Sequence, residues 1–385
     1  MAEPIEGRML REHRRALHQI PELDYDLPRT LAYVRGILEP VAGDITSRGG
    51  RATVFSPSRS ALCLYVDKGT PHATALRSDM DALPVTERTG AAYASRIEGH
   101  MHACGHDGHM AMLLTLAQWL PQNLDRLGRS LLLVFQPAEE TTGGARGICQ
   151  SGALEECGVD RIFGLHLWPG LPEGRLAGRP GALLAAGNET HVTFLGRAAH
   201  IARAELGADA VEAAARFLTA TYDHIERLCQ REAARGREGV VLKFGTLQGG
   251  LVCNQIADRA RLEGSLRTFD VELRDEVMAE VRELAARAAA SCGCTAEVDF
   301  AEGYPPVTND PELFGRVAER VPELQILEEP YMIAEDFAWY QRQLPGVFLL
   351  LGVGEVPSLH SDGFDFDERA LAGGLAALKA LALMP

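Results

Sequence analysis

The chain has 385 residues, 46% of them hydrophobic and 24% charged, so it is long enough for two domains and apolar enough to bury large cores; wholesale disorder is excluded. Lys and Arg number 38 against 53 Asp and Glu, and a net charge of −15 argues against a nucleic-acid partner. No apolar run reaches the roughly 18 residues of a membrane helix, and the opening MAEPIEGRMLREHRRAL has neither the apolar core of a signal peptide nor the acid-poor composition of a transit peptide. The expectation is a cytoplasmic protein with no membrane partner, whose eight cysteines are thiols rather than a disulfide framework.

In chain order, residues 7–20 read as an amphipathic helix stopped by Pro21, and 30–38 as a second helix. Short apolar runs bounded by turn residues follow at 61–66, 73–77, 130–136, 161–168 and 346–353, with helical stretches at 108–120 and 143–156 between them. Apolar runs alternating with helices predict an α/β layer fold with a mostly parallel central sheet. The middle of the chain differs. Residues 189–196 alternate apolar and polar, a helix follows at 208–232, then strands at 239–247 and 259–268, a helix at 270–290 and a strand at 295–300. That β-α-β-β-α-β order predicts a smaller α+β, ferredoxin-like domain over 186–298, inserted into a larger domain built from 1–185 and 299–385.

Residues 100–109, HMHACGHDGH, place four histidines, a thiol and a carboxylate in ten positions at the start of an apolar helix. A core cannot bury so many titratable groups unpaired, and imidazole, thiolate and carboxylate are ligands of zinc and similar divalent ions. The run SLLLVFQPAEE (130–140) ends a strand in two adjacent carboxylates, Glu139 and Glu140. Neighbouring side chains there point in different directions, so one can bind metal while the other acts as a base; a solvated acidic helix start is the alternative. His166 in GLHLWPG and His360 in SLHSDGFDFDE stand at further strand ends, where a satisfied core histidine is the alternative to a ligand. Together Cys104, His106, Glu140, His166 and His360 make a ligand set drawn from four segments, with Glu139 left over as general base. Five ligands exceed the three of a single catalytic zinc and suit two adjacent metal ions.

The segments LHQIPELDYDLPRT (17–30), ALRSDMDALPV (75–85), MHACGHDGHMAMLL (101–114), VFQPAEE (134–140), GLHLWPG (164–170), GRAAH (196–200), GSLRTF (264–269), AEDFAWY (334–340) and LHSDGFDFDE (359–368) resemble, in this order, the M20 metallopeptidase family in its amidohydrolase branch, which includes N-acyl amino acid amidohydrolases, hippurate hydrolases and plant auxin-conjugate hydrolases. The resemblance implies two divalent metal ions per subunit, zinc or manganese, on Cys104, His106, Glu140, His166 and His360, with Glu139 as base and Asp81 orienting a ligand from behind. It implies that the inserted domain is a lid that forms homodimers, that His200 helps hold the oxyanion, and that Asn254 and Arg267 bind substrate. The substrate class it implies is a small N-acyl amino acid, cleaved at its amide bond. A dipeptidase or carboxypeptidase of the same family is the alternative enzyme, and a binding protein with an impaired lid the alternative from another class. After GRAAH the chain reads IARAELGAD and after Asn254 it reads QIAD, departures from the family's lid pattern that bear on acyl specificity and leave the metal set intact.

Overall fold

A computed structural model describes residues 4–237, 239–321 and 323–385; the first three residues of the stretch expected to open the larger domain therefore lie outside it, as do positions 238 and 322. The chain divides into two compact units, one of residues 1–183, 308–329 and 336–385, the other of 184–307 and 330–335. The sequence places the inserted domain at 186–298; the second unit runs further, through the strand-to-strand return after Phe300, and takes in 330–335, whose backbone pairs with it through Leu184 and Tyr331.

The first unit holds an eight-stranded sheet in the order Arg51–Phe55, Leu62–Asp67, Ser130–Gln136, Ala73–Asp79, Val159–Trp168, Gly346–Gly352, Leu176–Gly178, Gln325–Ile326. The four central strands, from Ser130–Gln136 to Gly346–Gly352, are parallel. Three of them are buried along their whole length, and Val159–Trp168 from Arg161 onward. Burial on both faces explains why they read in the sequence as unbroken apolar runs. The hairpin Arg51–Phe55 with Leu62–Asp67 adds antiparallel strands at one edge, the first of them exposed or half-buried throughout and absent from the apolar-run reading. Helices His106–Trp119 and Leu371–Ala382 pack on the sheet, and Ile5–His18 packs on both helices; Leu10, Leu17, Met110, Leu114, Leu375 and Leu378 share the resulting core. The helix expected over 30–38 spans Pro28–Ser47 and continues through Pro40. The burial of Val34, Leu38, Val41 and Ile45 along this helix offsets the roughly 3 kcal/mol that an interior proline costs. No helix among the described residues is long and apolar enough to cross a membrane.

The second unit carries an antiparallel sheet in the order Val241–Gly249, Arg259–Thr268, Ala186–Leu195, Thr295–Phe300. Helices Ala210–Ala233 and Val271–Ser291 cover one face, packing Phe217, Val277 and Val281 against Val192, Phe194 and Leu262. Asp209 and Asp270 cap the two helices by accepting amide hydrogens in their first turns.

Candidate metal centre

The loops that leave the carboxyl ends of the central strands converge, as ligand-binding loops of open α/β sheets do. The strand Ala73–Asp79 runs into Met80 and Asp81, Ser130–Gln136 into Pro137–Glu140, and His166 stands two residues before the end of its strand. The helix His106–Trp119 begins at the same place, with Gly105 at its N-cap in the left-handed region (φ 83°). With its φ in the left-handed region and a Cβ that would lie 2.7 Å from Leu167 Cδ1, the turn that brings Cys104 and His106 to one side favours glycine.

Two imidazoles are oriented in the same way. His106 Nδ1 donates to the backbone carbonyl of Asp81 at 2.8 Å, and His166 Nδ1 donates to the carbonyl of Leu167 at 2.7 Å. Each ring therefore turns its Nε2 toward the cluster, the arrangement by which proteins fix a ligating histidine. His166 Nε2 lies 3.4 Å from Cys104 Sγ, and His106 Nε2 lies 3.8 Å from Glu140 Oε1. Glu139 and Glu140 sit on a loop entered through Ala138, which holds a left-handed φ of 56°. The loop is closed by the Gly143 amide on the Ala138 carbonyl, and a Cβ on Gly144 would lie 2.0 Å from the Pro137 carbonyl oxygen. The Asp81 carboxylate accepts the amide hydrogens of Glu139 (2.9 Å) and Glu140 (3.0 Å), one on each oxygen. Asp81 thus supports His106 through its main chain and the two glutamates through its side chain. His360, also left-handed (φ 66°), donates its amide to the Ala103 carbonyl and places Nε2 3.3 Å from Glu140 Oε1. Two non-glycine residues in this conformation beside one site are backbone strain of the kind that collects at functional positions.

The donor set fits divalent cations. One donor atom each from Cys104, His106 and His166 lie within 4.8 Å of one another, as do those of Cys104, Glu140 and His360, and those of His106, Glu139 and Glu140. The first two groups share Cys104, and the five expected ligands form one connected cluster. His106 Nε2 is buried without a hydrogen-bond partner. Burial raises the Cys104 thiol well above its ordinary value, and the Glu140 and Glu139 carboxylates raise it further. Burial opposes the charge on His106, but Asp79, Asp81 and Glu140 outweigh it and push the imidazole up to about 10. Glu140, though buried, is held below the usual carboxylate range by the bond to His360 and the charge of His106, and that same bond raises His360. The carboxylates are drawing protons onto their neighbours, and a divalent cation meets the same demand for positive charge.

The structure divides the 100–109 cluster. His100 contacts the Pro21 carbonyl at 3.3 Å, and His102 is fully buried and held neutral, its pKa pushed down to about 3 by burial. Asp107 turns away to Arg14 (3.3 Å) and His18 (2.7 Å), tying the first helix to this one. His109 meets Asp79 at 2.6 Å. His200, Asn254 and Arg267 belong to the second unit. His200 is exposed, its strand Ala199–His200 pairs Gln255–Ile256, and the Asn254 carbonyl accepts the amide of Ile201 at 3.0 Å, so His200 and Asn254 are neighbours. Arg267 lies on another strand, opposite Gly187, half-buried and bonded to Ser265 Oγ and the Leu266 carbonyl. The sequence marks Asp79 only as part of the strand end RSDMD and assigns no role to it or to Asp336. Arg77 bridges them at 2.6 and 2.7 Å, and Asp336 also accepts Gln136 Nε2 (2.8 Å) and the Ala145 amide (3.0 Å). Two acids in apolar settings, RSDMD and AEDFAW, were the available signal: buried carboxylates need partners.

The sequence model of peptidase family M20/M25/M40 matches residues 75–384. An N-acetyldiaminopimelate deacetylase of Streptococcus uberis is 34% identical over 375 residues, covering 95% of this chain and 96% of the relative. An N-acetyl-L-cysteine deacetylase of Bacillus subtilis is 34% identical over 361 residues, covering 93% and 83%. Among solved structures, the Bacillus subtilis YXEP protein, described as a dinuclear metal binding peptidase from the M20 family, superposes with a TM-score of 0.83 at 29% identity over 98% of both chains.

Proposed function

The chain belongs to peptidase family M20/M25/M40, and on that premise we propose that it is a metal-dependent amidohydrolase that cleaves the amide bond of N-acyl amino acids, releasing a carboxylic acid and the free amino acid. The observation that carries this reading is the cluster of Cys104, His106, Glu140, His166 and His360, donor groups drawn together from four chain segments with Glu139 beside them. The two deacetylase relatives, whose names specify N-acetyl amino acids, support the substrate class.

Two divalent ions would be held by these five residues, Cys104 common to both groups. Bound there, such ions lower the pKa of water and polarise a carbonyl oxygen. Zinc and manganese are the candidates; the soft thiolate of Cys104 favours zinc and the imidazoles and carboxylate accept either. Glu139 takes the proton of the attacking water and returns it to the leaving nitrogen. Its backbone amide is pinned by Asp81, so the loop that carries the carboxylate is held before substrate arrives. His200 helps hold the oxyanion, an interaction whose loss typically costs about 10²–10³ in rate. Arg267 receives the substrate's free carboxylate through a guanidinium fork, with Asn254 beside His200 in the same unit. The exposed Leu247, Leu251 and Val252, at and just after the end of the edge strand Val241–Gly249, support a homodimer formed through the second unit, which light scattering after size exclusion tests. Eight free thiols support a reducing, cytoplasmic setting.

The test is Glu139→Gln. The variant keeps its metal, measured by elemental analysis, and loses turnover of N-acetyl and N-benzoyl amino acids. Turnover near that of the wild type removes Glu139 as the base, and a chain that takes up no metal in either form removes the class. A panel that includes dipeptides separates this reading from a dipeptidase.

A further inference from the structure

His109 takes no part in the chemistry above. It lies one turn into the helix His106–Trp119, with 1% of its surface exposed. Its Nε2 accepts the backbone amide of Leu167 at 2.9 Å. That nitrogen is therefore unprotonated, and the ring proton sits on Nδ1, 2.6 Å from Asp79 Oδ1. The second oxygen of Asp79 is taken by Arg77.

Leu167 needs these partners because of where the sheet ends. The strand Val159–Trp168 pairs with Ala73–Asp79 only as far as Gly164, opposite Arg77. Beyond that point the N–H and C=O of Leu167 face an edge with no strand beside it. His109 meets the N–H, and His166 meets the C=O through Nδ1 at 2.7 Å. Asp79 thus anchors His109, His109 holds the Leu167 amide and His166 holds the Leu167 carbonyl, so Leu167 is fixed on both sides of its Cα next to the His166 Nε2 that faces Cys104. The His109 ring also packs edge-on against His166, centroids 4.6 Å apart, and stacks on His106 at 5.4 Å.

We propose that His109 is a positioning residue: anchored on Asp79, it holds the end of the strand that carries His166 so that this ligand and Cys104 meet one ion, and it is not itself a ligand because both ring nitrogens are already engaged. The proposal rests on the reading of Cys104 and His166 as ligands. The sequence counts His109 as an equal member of the 100–109 cluster; the geometry gives it a supporting place instead.

The experiment uses cobalt(II) as the probe. The full-length protein is stripped and reloaded, affinity is read by competition with a chelator, and the thiolate-to-cobalt charge-transfer band is recorded in the near ultraviolet, with Cys104→Ser to assign it. His109→Ala is expected to weaken cobalt binding by about 10- to 100-fold, the usual effect of losing a partner behind a ligand, and to alter the band. His109→Gln, which retains an acceptor for the Leu167 amide, is expected to recover most of the affinity. The Leu167 amide should exchange with solvent faster in His109→Ala than in the wild type. Wild-type affinity and band in His109→Ala overturn the proposal, and so does a His109→Gln variant as weak as His109→Ala. If His109→Ala does not fold, His109→Asn, long enough for Asp79 and too short for Leu167, takes its place with the same expected loss. A wild-type band that survives Cys104→Ser overturns the ligand reading itself, and is distinguished in that way from a failure of His109 alone.

Discussion

Asp81→Asn changes one atom at the point where the loop carrying Glu139 and Glu140 is held. The aspartate is 1% exposed, and each of its oxygens accepts one amide hydrogen, at 2.9 and 3.0 Å. Asparagine keeps one acceptor and turns an NH2 toward the other amide, so one charge-assisted bond is lost and a buried donor is left unpaired. Such a loss costs about 2–4 kcal/mol. The bond from His106 goes to the main-chain carbonyl of residue 81 and is retained. If the whole cost falls on the step at which Glu139 must be in place, turnover drops by about 30- to 900-fold. If it falls on global stability, the melting temperature drops by roughly 2–5 °C for a chain of 385 residues. The assay is kcat for release of acetate from an N-acetyl amino acid, alongside thermal unfolding of the metal-loaded protein. A variant with both wild-type kcat and wild-type melting temperature refutes the reasoning, because the two amide bonds would then hold nothing.

His18 gives a pH dependence whose sign is fixed. Burial opposes its charge, but the charge of Asp107 and the bonds to Asp107 and Glu87 outweigh this and raise it to about 9. Its contribution, of order 3 kcal/mol, is fully present below pH 6.5, the unfolded value, and is lost as pH rises through 9; His18→Gln should flatten the fall in melting temperature between pH 7 and 9. Gly105→Ala should lower both the melting temperature and the metal content, since the residue needs a φ of 83° and its Cβ would meet Leu167 at 2.7 Å; the backbone term alone costs about 1–2 kcal/mol. An unchanged variant would show that the turn relaxes freely. Arg267→Ala should raise KM for an N-acyl amino acid and leave KM for the corresponding neutral amide unchanged; a parallel rise for both argues against a carboxylate contact.

The kinds of group in the centre, the four segments that supply them and the alternation of buried strands with helices were all legible in the sequence. The reason is local: strands buried on both faces must be continuous apolar runs, and polar groups just past their ends stand out against that background. What each group faces was not legible. Of the six titratable groups in 100–109, Cys104 and His106 turn to the centre, His109 turns to Asp79, and Asp107 turns to a helix 89 residues earlier in the chain. Those directions depend on the left-handed turn at Gly105 and on where the strand Ala73–Asp79 stops beside Val159–Trp168. The Arg77–Asp336 pair, 259 residues apart, exists only because the two ends of the chain share one unit. Residue type and spacing determined which chemistry this protein can hold; packing across distant segments decided which side chains hold it, because a turn of the backbone reverses a side chain's direction without changing its name.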